Sequence, residues 1–189
     1  MIVDGYTMDS LWIDFLNSDL HDPLGQALDR DRLRDPAWLR KFTETWKLPR
    51  IDGECDPVRS ALAELRGALQ GLVAVLVRGR PLRPADLAGV NGLLASRPAV
   101  PKLRVEGGSV RLRLAAGPGG GLDAVLLAIV ESFAAFLAEG DPARLRVCEN
   151  ADCRWVFYYS TRSRTRRWCA DSCGNLIKVR TFRRRRKNG

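Results

Sequence analysis

The 189-residue sequence has only one histidine, His21, and lacks the short motifs that usually mark nucleotide-binding or hydrolytic enzymes. It contains no Gly-x-x-x-x-Gly-Lys-Ser/Thr loop, no Gly-x-Gly-x-x-Gly fingerprint and no Gly-x-Ser-x-Gly turn. A lone histidine in a polar loop is usually solvated. The acid pairs Asp19/Asp22 and Asp29/Asp31 fit loop or helix-cap positions. We therefore expect a protein that is not an enzyme.

Signals for export and for membrane insertion are also missing. The N-terminus has no basic segment followed by an apolar stretch, which a signal peptide would need. The longest apolar runs, 72–77 and 125–138, fall short of the roughly 20 residues that span a bilayer. We expect a soluble cytoplasmic protein with no membrane partner.

Acidic residues are scarce at one end of the chain. Residues 144–189 carry 14 Lys and Arg against three acids, a net charge of +11, so the first 143 residues, with 17 against 19, carry −2 of the total +9. This segregation predicts an anionic partner at the C-terminal end, and double-stranded DNA is the leading candidate.

Residues 1–143 have the pattern of a mostly helical domain. Apolar residues recur at helical spacing in several segments, and one further segment is apolar nearly all round. The spaced segments are 11–16, 36–48, 58–76 and 85–97, and the apolar one is 122–139. Residues 101–116 instead alternate around Gly107 and Gly108, which predicts a β-hairpin with a tight turn. A ligand-sensing cavity among the helices is compatible with this pattern but not required by it.

Four of the five cysteines are clustered in two close pairs. Cys148 and Cys153 are followed, after 15 residues, by Cys169 and Cys173, whereas Cys55 stands alone. Two such pairs fit a tetrahedral four-thiolate zinc site, because each pair can form one knuckle. Disulfides, which a reducing cytoplasm disfavours, and uninvolved buried thiols are the alternatives. Four thiolates fill the coordination sphere, so the predicted single Zn²⁺ is structural.

The segment 144–189 is too short and too charged to form a core of its own, and a bound zinc ion would supply the missing folding free energy. Residues 155–159 favour a strand. Trp155 and Trp168 flank cysteines and are expected to shield the sulfurs. Gly174 is predicted to form a tight turn, and Asn175 to cap a following helix. The predicted fold is thus a mainly α domain with a small β-hairpin, at 1–143, and a four-cysteine zinc-binding β-hairpin/helix module, at 144–189.

Cations near the cysteines are predicted to contact DNA phosphates. They are Arg162, Arg164, Arg166 and Arg167 between the pairs, and Lys178, Arg180, Arg183, Arg184, Arg185, Arg186 and Lys187 after them. A solvated tail is the alternative, but consecutive charges that repel one another favour an anionic partner. Phosphate contacts give affinity without sequence preference, so the target sequence stays open.

At these residues the chain resembles the CGNR zinc finger family. The resemblance lies in "CRWVF" after the first cysteine pair, "SRTRRWC" before the second pair and "CGN" followed by "KVRTFRRRRK". The upstream part resembles the ABATE domain in "LWIDFLNS", in a Trp-Leu helix at 38–39, in the long Leu/Ala helix and in the hairpin. The resemblance implies a bacterial, stress-associated transcription regulator whose C-terminal module binds DNA when loaded with zinc. Leu176 stands where the family has the arginine of its naming tetrapeptide, so that role is either missing here or passes to a neighbour such as Lys178.

These observations predict a zinc-dependent DNA-binding transcription regulator associated with the nucleoid. Its N-terminal domain would be sensory, with a small-molecule ligand, or dimerising, in a homodimer. The alternative is an RNA-binding or protein-interaction zinc module, in which Tyr158 and Tyr159 could stack on bases. An enzyme would be favoured only if His21 or N-terminal carboxylates lined a deep polar pocket.

Overall fold

The computed structural model describes residues 11–21, 30–117, 120–159 and 165–187. The helices in these ranges are α1 Leu11–Leu16, α2 Pro36–Thr45, α3 Asp56–Val77, α4 Ala88–Ala95, α5 Gly121–Glu139 and α6 Asp171–Lys187. The strands form antiparallel pairs: β1 Asp19–Leu20 with β2 Arg30–Asp31, β3 Ala99–Glu106 with β4 Ser109–Ala116, and β5 Leu145–Val147 with β6 Val156–Tyr158. The predicted fold class, helical with small antiparallel strand pairs and a four-cysteine cluster, is confirmed.

The helices begin where local chemistry favours them. The Asp35 carboxylate accepts hydrogen bonds from the backbone N–H groups of Ala37 (2.9 Å) and Trp38 (3.3 Å), and Pro36 occupies the first turn of α2. In α3 the leucines at three- and four-residue spacing form the buried stripe that their periodicity predicts.

The main core lies between α1, α3 and α5. The Trp12 indole meets the rings of Phe133 and Phe136 at centroid distances of 5.0 and 4.9 Å. Leu65 and Leu69 of α3 are fully buried against the same core. By length and composition alone, α3 and α5 could also cross a membrane. Because the apolar sides of α3 and α5 form this core, their high hydropathy is explained by their position as the central helices of a globular fold.

The β3–β4 hairpin turns at Gly107 and Gly108, as predicted. Their φ angles of +57° and +78° lie in the left-handed region, which glycine adopts without steric cost. The strands pair in register, from Ala99 opposite Ala116 to Glu106 opposite Ser109. Unlike the helices, the hairpin buries none of its large apolar side chains, and Leu103 is 72% exposed.

The β5–β6 hairpin packs on the same core as the helices. Leu145 and Val156 are buried in that core, and Tyr158 meets the Phe136 ring edge-on at 5.7 Å. The Asn17 side chain in addition donates to the Val156 carbonyl (2.9 Å) and accepts from the Val156 N–H (2.8 Å). The segment before the second cysteine pair is thus tied to α1. The division of the chain at 143/144 remains a prediction.

Candidate zinc centre and basic helix

The four clustered cysteines come together at one point. Their Sγ atoms all lie within 4.8 Å of one another. The Sγ atom of Cys169 is 3.6 Å from that of Cys153 and 3.7 Å from that of Cys173. A tetrahedron with zinc–sulfur bonds of 2.3 Å has an edge of about 3.8 Å, whereas a disulfide would bring two sulfurs to about 2 Å. The donors and their spacing fit Zn²⁺ and exclude a disulfide in this structure.

The first knuckle is a tight turn built around Asn150. The Asn150 carbonyl accepts hydrogen bonds from the N–H groups of Cys153 (2.8 Å) and Arg154 (3.3 Å), and Arg154 has a positive φ of 52°. The Cys148 N–H is bound to the Trp155 carbonyl at 2.8 Å. These bonds close the loop, so that Cys148 and Cys153 aim at the same point.

The second knuckle differs from the sequence prediction. Helix α6 begins at Asp171, so Cys173, Gly174 and Asn175 lie inside its first turns. The interpretation of Gly174 as a turn and of Asn175 as the helix cap was therefore wrong. A Cβ atom at position 174 would lie 3.0 Å from the Trp168 indole. Glycine is needed there because the tryptophan packs against the helix backbone.

Asn150 is a residue of the site that sequence reasoning missed. Its side chain is fully buried, and its Nδ2 atom lies 3.8 Å from the Cys173 sulfur. An amide that donates to a thiolate disperses its charge and holds its orientation. The position of Asn150 between Cys148 and Cys153 is the signal that could have pointed to it.

Without metal, the thiols of Cys153, Cys169 and Cys173 cannot all ionise together. Hydrogen bonding from Cys169 lowers the pKa of Cys153 to about 6, whereas the same pair interaction and burial raise the pKa of Cys169. Burial and the charge of Cys153 raise the pKa of Cys173 to about 11. Zn²⁺ ionises such thiols when it binds, so metal uptake must release protons.

Aromatic rings surround the sulfurs, as expected from the sequence. Trp155 and Trp168 pack against the cysteine cluster together with the buried rings of Phe157 and Tyr159. The resulting apolar shell keeps water away from the metal–thiolate bonds.

Three of the predicted DNA-contacting arginines have partners within the chain. Arg167 pairs with Glu149 (Nε–Oε2 2.8 Å), and this bond lowers the pKa of that carboxyl. Arg180 pairs with Asp152, and Arg166 donates to the Trp168 carbonyl at 3.0 Å. Arg167 and Arg180 join the first knuckle to the second knuckle and to α6, and Arg166 braces the second knuckle locally, so all three have a structural role whatever else they contact.

The other predicted cations project from α6. In the part of the chain that the structure describes, Lys178 and Arg183 to Arg186 are exposed and make no ion pair. Lys187 is the last residue of α6. Arg162 and Arg164 lie outside the described residues. Beyond Arg180, α6 is thus a helix covered with cations.

The structure also places the tyrosines, the histidine and two of the N-terminal acids that the sequence singles out. Tyr159 is buried, and Tyr158 packs against Phe136, so neither ring is available for base stacking. The His21 ring lies 3.2 Å from the Asp19 carboxylate, and the Asp31 carboxylate is engaged by Arg66. The other members of the acid pairs, Asp22 and Asp29, lie outside the described residues.

Two cysteine knuckles with sulfurs at tetrahedral spacing, the second of them opening a basic helix, define a four-cysteine zinc finger module. Comparison with known families agrees and identifies both parts of the chain. Residues 9–140 match ABATE, described as "Putative stress-induced transcription regulator", and residues 144–186 match the CGNR zinc finger. The chain belongs to the ABATE family and ends in a CGNR zinc finger that holds one Zn²⁺. Comparison with curated proteins gave no match.

Proposed function

We propose that this protein is a zinc-dependent, DNA-binding transcription regulator in which the zinc site holds α6 against DNA phosphates. The observation that carries the proposal is the row of exposed cations on α6, Lys178 and Arg183 to Arg186, which begins at the metal site and has no acidic partner among the described residues. Both family descriptions, a transcription regulator and a zinc finger, agree with this function. Nucleoid association would follow from it.

The shape of α6 suits a DNA groove. Its 17 residues span about 25 Å, and a helix of ordinary diameter enters the major groove of B-DNA. Among the cations, Val179 and Phe182 are 46% and 61% exposed. Apolar side chains at such positions can contact thymine methyl groups, which would add sequence preference to the phosphate contacts.

Zinc would make this helix a rigid element of the protein. The basic part of α6 is joined to the rest of the chain through Cys169 and Cys173, through the packing of Gly174 on Trp168 and through the Arg180–Asp152 pair. Because protein thiolates occupy all four coordination positions, the metal has no open position for water chemistry. We therefore assign it a structural and not a catalytic role.

The N-terminal domain would be the sensory or dimerising part. A cleft of about 750 Å³ between the hairpin and α5 supports the sensory option, because Lys47, Lys102, Arg104 and Arg113 line it beside Glu131. This lining favours an anionic small molecule.

Salt-dependent binding to duplex DNA tests the proposal. If the five exposed cations of α6 each contact a phosphate, log affinity should fall with log salt concentration at a slope of about −4.5. The double substitution Arg184→Gln with Arg185→Gln should reduce that slope by about 2 without lowering the melting temperature. Arg78→Gln with Arg80→Gln, a matched pair of exposed arginines outside the module, is the control. Salt-insensitive binding, or preference for single-stranded RNA or an acidic protein, would contradict the proposal.

A further inference from the structure

The β3–β4 hairpin exposes one apolar face. Three cross-strand pairs share that face: Pro101 with Leu114, Leu103 with Leu112 and Val105 with Val110. The exposed fractions are 72% for Leu103, 77% for Val105, 66% for Val110, 65% for Leu112 and 46% for Leu114. Contiguous exposed apolar patches often mark interaction sites, so this face is a candidate for contact with a partner.

The described residues leave this face uncovered, because the hairpin contacts α5 through its other face and one strand edge. The Arg111 guanidinium lies 3.9 Å from the Glu139 carboxylate, and the Leu114 N–H donates to the Glu131 carboxylate at 2.8 Å. Lys102 and Arg104 line the cleft towards α5. The cations thus share the face that is turned towards α5, and Leu103, Leu112 and their neighbouring apolar side chains lie on the other face, the reverse of the usual orientation of an amphipathic hairpin.

We propose that this apolar face is the interface of a homodimer, in which it packs on the same face of a second copy of the chain. All six of its side chains are uncharged and apolar, so its partner must offer a flat apolar surface of similar shape. The face itself is such a surface, and a two-fold axis would place its leucine pair against the leucine pair of the second copy. The two hairpins would then stack about 10 Å apart, like the sheets of a β-sandwich.

The distribution of charge favours a second copy over other partners. A membrane-binding surface carries cations beside its apolar residues, where they reach anionic headgroups. Here Lys102, Arg104 and Arg113 lie on the opposite face of the hairpin. The first 143 residues carry a net charge of only −2, so two N-terminal parts can approach without strong repulsion. The basic C-terminal segments would supply the two DNA-binding ends of such a dimer.

The size of the face predicts the strength of association. Eight residues per strand give a length of about 27 Å, and two strands a width of about 10 Å, so the footprint is roughly 270 Å². A stable standard interface buries about 800 Å² of accessible surface per partner, and a face with this flat footprint offers less than that even when its protruding side chains are counted. The hairpin contact should therefore give a reversible dimer that dissociates at micromolar concentrations. Pro101 removes one N–H donor from β3, which favours stacking of the faces over pairing of the strand edges.

Sedimentation equilibrium of the full, zinc-loaded chain without DNA tests this inference. The average mass should rise from 21.0 kDa towards twice that value as the concentration increases from about 1 to 200 µM. The substitutions Leu103→Thr with Leu112→Lys should weaken dimerisation at least about 100-fold, because they place a charge at the centre of the apolar face. Both side chains are exposed, so the fold should persist, which circular dichroism would verify. Lys102→Gln with Arg113→Gln, a cross-strand pair on the opposite face, is the matched control.

A second measurement uses the wild-type chain alone. The methyl resonances of Leu103 and Leu112 should shift with concentration, whereas those of the buried Leu65 should not. A wild-type chain that stays monomeric, a variant that dimerises as tightly as wild type, or a monomer that sediments with anionic vesicles would each overturn the inference. The inference rests on the dimerising role proposed for the N-terminal part. Because both measurements are made without DNA, a failure of the protein to bind DNA would not change their result.

Discussion

Replacing Asn17, the residue directly after α1, by alanine should markedly destabilise the protein. Asn17 is 4% exposed, and its amide makes two hydrogen bonds to the backbone of Val156, 139 residues away. In this way it completes the outer edge of β6 as a neighbouring strand would.

The magnitude follows from the two backbone groups that the substitution would leave unpaired. The N–H and C=O groups of Val156 would stay buried without partners, and each such group costs about 1–3 kcal/mol. Rearrangement and some water entry would recover part of this cost, so we expect the free energy of unfolding to fall by about 2–4 kcal/mol. For a chain of 189 residues this corresponds to a decrease in melting temperature of roughly 5–15 °C.

Urea unfolding followed by far-ultraviolet circular dichroism is a suitable assay, with metal content measured in parallel. Because β6 lies between the two cysteine pairs, Asn17→Ala should also release zinc at a lower chelator concentration. The control is Asn91→Ala, which removes the same side chain from an exposed position of α4. A decrease for Asn17→Ala no larger than for Asn91→Ala would refute the reasoning that ties the zinc module to α1.

Two further predictions concern the metal and a buried ion pair. Cys169→Ser should abolish stoichiometric zinc binding and unfold residues after β6, while the helical core persists; retention of one zinc ion by mass spectrometry would argue against a four-thiolate site. Arg66 holds Asp31 through two bonds of 2.7 and 3.0 Å, and although burial raises the pKa of that carboxyl, these contacts keep it below its usual value. The pair therefore stabilises the fold above pH 4, the range of an unfolded aspartate, and this contribution is lost as pH falls through the lowered pKa. Arg66→Met should lower the free energy of unfolding by about 2 kcal/mol at pH 7, and urea titrations at several pH values should show that the stability of the variant falls less steeply in acid. If the stability of the variant fell in acid as steeply as that of the wild type, Asp31 would not be the source of the pH dependence.

Local patterns were sufficient to predict most of the elements. The leucine spacing of α3, the Asp35–Pro36 start of α2 and the Gly107–Gly108 turn each depend on residues a few positions apart. The zinc site was predictable for a similar reason, because two cysteine pairs at short spacing have few other uses in a reducing compartment.

Contacts between distant residues were beyond the sequence. The bond from Asn17 to Val156 spans 139 residues, and nothing near either residue indicates it. Nor could spacing show that Arg167 and Arg180 are engaged by Glu149 and Asp152 while Arg183 to Arg186 extend beyond them. Such pairings are decided by how the elements pack, because a hydrogen bond or ion pair depends on distances that only the folded chain defines.

The hairpin shows the same division between local and tertiary information. Alternating residues at 101–116 determined that two strands would form with one apolar face. Which way that face would point was decided by contacts with α5, where Glu139 pairs with Arg111 of the other face and Glu131 accepts a hydrogen bond from the Leu114 N–H. The sequence by itself thus determined the β3–β4 hairpin, the main helices and the clustered cysteines, whereas only the tertiary structure decided which surfaces stay exposed, because exposure depends on the neighbours that packing brings together.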